Sequence, residues 1–398
     1  MKKLFFILLL FFIACDKQGD MRLEQERNNA RIVKELQAKT PLSESTIEEL
    51  GEMLELMGRG DELLSTTVDV LKKESLSTMS LCGMNRDEIK EDTLLYFLNF
   101  VNGGYAILDA RNDDDPIIAI TERGAMNAEA FQGKDSMNFI NHLIMSYILD
   151  ENRPEEVDDD LRAPVTKASP PAGNWKVAEQ YGPLLRTKWH QGAPFNELFS
   201  NMLVGCTSLA MAQVVAYKQF PKLNQFPYSN LISNWSQISS KPEPTTPDEW
   251  KFLKHYLRSI SDRCGTEFDE EKGGGSSDKK LARAMRTLKY NSVMIRPYAI
   301  STIKNMISLN KPVFISGYRM QKGREVGHNW IIDGYRKYKK GVSVRNYVNC
   351  VIGWQDYAAF DGWYRSGLFD PYNREVINDS DAPNRYKSLN LITYANPN

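Results

Sequence analysis

A helix-forming run that begins at a Gly-Cys step constrains the fold more than any other stretch of the chain. Within residues 201–221, an apolar approach leads to Gly205 and Cys206, and Pro221 closes the run that follows. That run is apolar on nearly every face and rich in alanine, which predicts a helix buried on most sides. Cys206 then lies at or just before the first turn of a central helix, around which the other elements must pack.

The position of Cys206 has a chemical consequence. Backbone N–H groups and the positive end of the helix dipole stabilise a thiolate, so a cysteine at a helix N-terminus can act as a nucleophile near neutral pH. The alternative is a small buried residue with no reactivity, because free cysteine is among the most buried residue types. Cys206 alone does not distinguish the two, and the choice depends on the motifs around it.

Two further motifs accompany the Gly-Cys step. Residues 189–196 read Trp-His-Gln-Gly-Ala-Pro-Phe-Asn, and residues 327–335 read Gly-His-Asn-Trp-Ile-Ile-Asp-Gly-Tyr. Together, and in this order, the three segments resemble the streptopain-type cysteine peptidases, a papain-like family of secreted bacterial proteases made as zymogens. The last motif departs from the family at Asn329, which stands where alanine is expected.

The resemblance implies roles for three residues. Cys206 is the nucleophile, His328 is the base, and Gln191 supplies the oxyanion hole together with the Cys206 backbone N–H. These are the groups that thiol-dependent acyl transfer requires. His190 is a rival base, but it occupies the variable position of the Trp-x-Gln motif, which favours a side chain that lines the cleft.

The third catalytic element departs from the family. Where an Asn-Trp pair is expected to orient and shield the histidine, this chain has Val351 and Ile352. An aliphatic side chain cannot accept the imidazole hydrogen bond that fixes the tautomer, so reduced activity is expected. Trp354 keeps the second aromatic residue of the motif and is assigned a shielding role. Asn349, one strand period before Val351, is a candidate substitute orienter.

The first residues carry an export pattern. A positively charged start and an apolar run make residues 1–14 a lipoprotein signal peptide, with Cys15 as the lipidation site and residues 15–45 as a polar spacer. The apolar run is too short to span a bilayer. An ordinary signal peptide followed by an incidental cysteine is the alternative. The pattern predicts an exported bacterial lipoprotein, anchored to a membrane through lipid and facing the periplasm or the cell surface.

Residues 46–150 precede the catalytic motifs and have their own pattern. An Asn-Gly-Gly turn at 102–104 between two apolar runs predicts a hairpin, followed by a further strand at 116–121. The segment resembles the inhibitory propeptide of the same family, although a small sheet of an unrelated module would give a similar pattern. Residues 151–174 are acidic and proline-rich, which predicts an extended linker with the maturation site, for which Lys167 is a candidate.

Residues 175–398 complete the predicted organisation as the peptidase domain. Helices come first and strands follow, which is the α+β pattern, and the resemblance implies a papain-like, two-lobed fold of a central helix and an antiparallel sheet. The formal net charge of −1 argues against nucleic-acid binding. No cofactor or metal motif is present. Two disulfides are not expected, because Cys206 has to remain free.

Two functions remain open at this stage. The first is an exported cysteine endopeptidase made as a zymogen, whose partners are a protein or peptide substrate and its own propeptide, bound in the cleft as an inhibitor. The second is a catalytically impaired relative that acts as a surface binding or inhibitory protein. Retention of a cysteine, a histidine and a glutamine in the three motifs favours the peptidase.

Overall fold

The computed structural model of the chain describes residues 31, 34–38, 42–56, 59, 66–76, 86–112, 116–132, 139–149, 175–200, 202–269, 273–321, 324–341, 343–354, 360–370 and 386–395. The predicted signal peptide with Cys15, most of the spacer and the linker with Lys167 lie outside these residues. Runs of helices and runs of antiparallel strands make up the described ranges, which confirms the α+β prediction. None of the described helices is long and apolar enough to cross a bilayer.

The N-terminal segment, defined here as residues 34–149, has both helices and strands among its described residues. The helices are α1 (Glu44–Leu56), α2 (Glu129–Gln132) and α3 (Phe139–Ile148), and the strands are β1 (Thr67–Lys72), β2 (Thr93–Asn99), β3 (Tyr105–Asp109) and β4 (Ile117–Thr121). The predicted hairpin joins β2 and β3. Its turn needs positive φ at two successive residues, and Gly103 and Gly104 supply φ values of 84° and 85°.

In the second part of the chain, the described helices are α4 (Cys206–Lys218), α5 (Ser236–Ser239), α6 (Pro247–Cys264), α7 (Asp278–Thr287) and α8 (Ile300–Ser308). Helices α5, α6 and α7 pack around the predicted central helix α4, and α8 packs against a large sheet. Every residue of α4 from Thr207 to Ala216 is buried, as its all-round apolar sequence predicts. Its longest neighbour, α6, begins at a capping box in which Thr246 and Glu249 satisfy each other's backbone N–H groups.

The strands of the second part belong to two sheets. Those of the large sheet are β5 (Lys176–Tyr181), β8 (Asn291–Pro297), β9 (Val313–Gln321), β10 (Arg324–Lys340), β11 (Ser343–Val351), β12 (Gly362–Arg365) and β13 (Tyr386–Ala395). A glycine-rich stretch forms β7 (Gly273–Gly275), which pairs with β6 (Glu267–Asp269) in a separate hairpin. This hairpin packs against the start of α4.

A long central strand organises the large sheet. Strand β10 pairs with β9 over Arg324–Ile332, and with β5 over Tyr335–Lys339. On its other side it pairs with β11, with a shift in register between Ile332 and Gly334. Sequence periodicity does not reveal this local break in strand register at Asp333.

The large sheet continues through the predicted boundary between propeptide and peptidase. Its order is β1-β2-β3-β4-β12-β11-β10-β9-β13-β8, and β4 joins β12 by antiparallel pairs such as Ile120 with Trp363. The approach is close, since a Cβ on Gly362 would lie 2.4 Å from the Ile120 carbonyl oxygen. Helix α1 packs on one face of this sheet and α3 packs on the other. The N-terminal segment therefore contacts the second part on both faces of the sheet.

Candidate active site

The start of α4 holds Cys206 in a backbone cradle. Gly205 precedes it with a φ of 94°, and a Cβ at that position would lie 3.2 Å from the Gly274 carbonyl oxygen. Cys206 itself is a free, partly exposed thiol. Burial of the sulfur raises its pKa, and hydrogen bonds from the backbone N–H groups of Asn329 and Thr207 only partly offset this effect. The thiol is therefore neutral at neutral pH in this conformation.

Asn329 ties strand β10 to the first turn of α4. Its side-chain amide donates to the Thr207 hydroxyl at 2.6 Å, and that hydroxyl lies 3.1 Å from the carbonyl oxygen of Ser276, to which it donates. An alanine at position 329 has no side-chain hydrogen bond to offer. The departure from the family motif thus adds a polar link beside Cys206.

His328 precedes Asn329 on β10, so consecutive residues carry the imidazole and the N–H that reaches the Cys206 sulfur. The imidazole Nε2 lies 2.9 Å from the Ile352 carbonyl oxygen. A carbonyl can only accept, so Nε2 carries the proton and Nδ1 is the basic nitrogen. Burial lowers the pKa of His328 to about 4, against a smaller opposing effect of the Ile352 carbonyl. The ring is neutral at neutral pH.

This geometry supplies a hydrogen bond that the side chains of Val351 and Ile352 cannot make. Their aliphatic side chains cannot accept a hydrogen bond, but the main chain of Ile352 does so in their place. The imidazole therefore has an acceptor although both side chains are aliphatic, and the expected reduction in activity stays a prediction. Sequence comparison of side chains does not detect an acceptor that belongs to the backbone.

Aromatic rings enclose the imidazole. The ring of Phe139 lies 4.3 Å from that of His328, and the ring of Trp354 lies 4.9 Å from it, edge on. Trp330 stacks at 6.0 Å. Phe139 is the first residue of α3, so the N-terminal segment supplies part of the enclosure. No sequence motif indicates the contact of Phe139 with His328.

Gln191 is fixed between two segments of the site. Its backbone carbonyl accepts from the Val204 N–H at 3.1 Å, just before the Gly-Cys step. Its side-chain amide donates to the Gly353 carbonyl oxygen at 3.2 Å. The structure thus brings Gln191, Trp354 and the start of α4 into one region. No hydrogen bond within the described ranges joins the Cys206 sulfur to the imidazole of His328.

The other two candidates have different neighbours. Asn349 donates its amide to Asp333 Oδ1 at 2.7 Å, and the register shift in β10 places Asn349 opposite Gly334. The Asn349 amide therefore contacts Asp333, and its role as an orienter of His328 stays a prediction. His190 packs edge-on against Phe195 at 4.6 Å. In the described ranges, no group of three or more His, Cys, Asp or Glu side chains is arranged to hold a metal ion.

Comparisons with known proteins agree with this geometry. The family model for Peptidase C10 matches residues 189–364. A fragment of prointerpain A from Prevotella intermedia, with a cysteine-to-alanine substitution, has a TM-score of 0.50 and 17% identity, and the match covers 83% of this chain and 100% of that one.

The active wild-type interpain A cysteine protease of the same organism matches with a TM-score of 0.36 and 19% identity, covering 55% of this chain and 95% of that one. No curated protein matches the chain. The prointerpain match covers more of the chain than the second part alone, so the chain shares its fold with a fragment of a papain-like protease zymogen. The residues 189–364 that match the Peptidase C10 model contain Cys206, His328 and Gln191, which confirms that this part of the chain resembles the streptopain-type cysteine peptidases.

Proposed function

We propose that the chain is an exported cysteine endopeptidase, made as a zymogen, that hydrolyses peptide bonds through Cys206 and His328. One observation carries this proposal. The Ile352 carbonyl holds the imidazole as its Nε2–H tautomer, while the next residue of the strand donates to the Cys206 sulfur. His328, whose Nδ1 is the basic nitrogen, therefore directly precedes in the strand the residue that contacts the Cys206 sulfur.

The residues can perform the reaction in two stages. Nδ1 of His328 takes the thiol proton, and the Cys206 thiolate attacks the peptide carbonyl. The oxyanion accepts hydrogen bonds from the Gln191 side chain and from the Cys206 N–H, which has no acceptor within the helix. The imidazolium then gives its proton to the leaving amine, and water, deprotonated by His328, releases the acyl group from sulfur.

The intact chain is expected to be latent. Burial keeps the thiol of Cys206 and the imidazole of His328 neutral, and the Gln191 amide is engaged by Gly353. The aromatic ring of Phe139 contributes to that burial and leaves with the N-terminal segment. Loss of the segment, with cleavage proposed near Lys167, hydrates the imidazole and raises its pKa, which favours the thiolate–imidazolium pair.

Export rests on the sequence alone. The pattern of residues 1–14 and the position of Cys15 support a lipid anchor on the membrane, facing the periplasm or the cell surface. The alternative of an impaired binding protein depended on the missing side-chain orienter. The Ile352 carbonyl supplies that hydrogen bond, so the peptidase is the function that the site favours.

An epoxide thiol inhibitor tests the proposal on processed protein. We expect it to label the wild type and Cys264→Ala at one site and to leave Cys206→Ala unlabelled. Cys264 is a matched control because its side chain is buried and its pKa is raised to about 12. Labelling that persists in Cys206→Ala, or that is absent from the wild type, would overturn the proposal. Cys206→Ala should also remain full length if maturation is autocatalytic.

Latency predicts a gain of reactivity in the intact chain. Phe139→Ala should increase the rate of Cys206 labelling at pH ~6 by about tenfold, because each unit of recovered imidazole pKa raises the protonated fraction about tenfold in this range. Mass spectrometry of the alkylated full-length chain measures the rate. The control is Phe131→Ala, which removes a buried ring packed 5.3 Å from Phe97 in the same segment. Equal acceleration by both variants would indicate general loosening of the segment.

A further inference from the structure

We infer that Asp361 is a positioning residue for His328, which it orients through the backbone of Ile352, and that Lys188 is its counter-ion, shared in the intact chain with Glu122. The inference rests on the proposed peptidase function and adds a residue to the same site. It concerns a buried carboxylate that the mechanism above does not use.

Two short hydrogen bonds form the link. The Ile352 N–H donates to Asp361 Oδ1 at 2.7 Å, and the Ile352 carbonyl accepts from His328 Nε2 at 2.9 Å. Strand β11 ends at Val351, so the described sheet pairing does not fix the direction of these two groups. The next residue, Gly353, has a φ of 60° and turns the chain away. Asp361 therefore determines where the acceptor for the imidazole lies.

Lys188 neutralises this carboxylate incompletely. Its Nζ lies 3.0 Å from Glu122 Oε2 but 3.8 Å from Asp361 Oδ2, and that oxygen accepts no hydrogen bond from the described residues. Glu122 follows β4 in the N-terminal segment, and its backbone N–H donates to the Asp361 carbonyl oxygen at 3.3 Å. The segment that covers the active site thus also draws the counter-ion away from Asp361.

The sharing of Lys188 between Glu122 and Asp361 affects the pKa of Asp361. Burial raises the pKa of Asp361 to about 6, even though Lys188 and the Ile352 N–H favour the ionised form. Glu122 and Asp333 add repulsion. The nearby Cys350 and Tyr364 are buried groups whose pKa values are raised well above the ordinary range, so both stay neutral.

Removal of the N-terminal segment changes this balance in one direction. Glu122 leaves, and the Lys188 ammonium keeps Asp361 as its ion-pair partner, with Asp333 as a further negative charge. The pKa of Asp361 then falls, and the carboxylate form, which is the stronger acceptor for the Ile352 N–H, persists to lower pH. Maturation consequently reinforces the orientation of His328 while it uncovers the ring.

Kinetics of processed variants test the link. Asp361→Ala should lower kcat about 10- to 100-fold and change KM by less than about twofold. This is the effect expected of a residue that orients a reacting group without touching the substrate. Asp361→Asn, which keeps an oxygen acceptor, should recover most of kcat. Lys188→Met should move the acid limb of the kcat/KM profile to higher pH by about half a unit or more. This shift should be absent when Lys188→Met is combined with Asp361→Asn, because no carboxyl remains to titrate.

A second measurement does not depend on activity. In the full-length Cys206→Ala chain labelled with 15N-histidine, the Nε2–H signal of His328, identified by its loss in His328→Ala, should be protected from exchange. Asp361→Ala should remove that protection and Asp361→Asn should keep it. Unchanged protection and unchanged kcat in Asp361→Ala would overturn the inference. An unreactive wild type would overturn the peptidase proposal instead, while the NMR result would still decide the role of Asp361.

Discussion

His328→Ala in the processed protein is expected to lose about four orders of magnitude in kcat/KM, the scale seen when one member of a catalytic unit is removed. No other imidazole is held beside Cys206 by the described structure. His328 is fixed by the Ile352 carbonyl, and its neighbour Asn329 donates to the sulfur. Hydrolysis of a fluorogenic peptide measures the loss, and alkylation of Cys206 near neutral pH should slow in parallel because the thiolate loses its imidazolium partner.

His190→Ala is the matched control for this prediction. His190 is also buried, and it lies beside Gln191 in the sequence, but its ring packs against Phe195. Its loss should change kcat/KM by less than about tenfold, the scale of a packing defect near a site rather than of a missing base. If His190→Ala were the inactive variant and His328→Ala retained activity, the assignment of the base would have to be reversed.

The chemistry proposed for this site could be reached from the sequence because it rests on side chains in local motifs. Cys206 at a helix start, His328 in a strand and Gln191 beside a buried tryptophan each lie in a short, recognisable segment. The central helix was predictable for the same reason, since its apolar residues cover every face and Pro221 ends the run. The observed helix from Cys206 to Lys218 follows that pattern.

The parts that escaped prediction depend on the backbone or on distant contacts. The Ile352 carbonyl exists whatever side chain stands at that position, and the register shift at Asp333 leaves no periodic signal. The contact of Phe139 with His328 joins residues almost two hundred positions apart. Pairing of β4 with β12 likewise depends on tertiary packing. It joins strands of the predicted propeptide and of the predicted peptidase domain in one sheet.

The largest expected effect on stability lies where α1 docks on the second part of the chain. Glu49 on α1 forms a buried ion pair with Arg345 on β11, and the Arg345 guanidinium lies 3.8 Å above the ring of Trp175. Removal of one partner leaves a desolvated charge, which costs about 3–5 kcal/mol in buried pairs. When α1 leaves, Arg345 is hydrated again. Glu49→Ala should therefore destabilise the docking of α1 without destabilising the peptidase part itself.

Hydrogen exchange of the full-length Cys206→Ala chain measures this penalty, since that background is expected to prevent self-processing. Protection of the α1 amides should fall by about two to three orders of magnitude in Glu49→Ala, while protection in α4 changes little. Glu48→Ala, on the exposed side of the same helix, should cost less than about 0.5 kcal/mol.

Equal loss of protection in both variants would mean that helix propensity, and not the ion pair, holds α1 in place. Loss confined to Glu49→Ala would mean that the Arg345 pair retains the N-terminal segment, and alkylation of Cys206 in a full-length Glu49→Ala chain that keeps the cysteine should then accelerate.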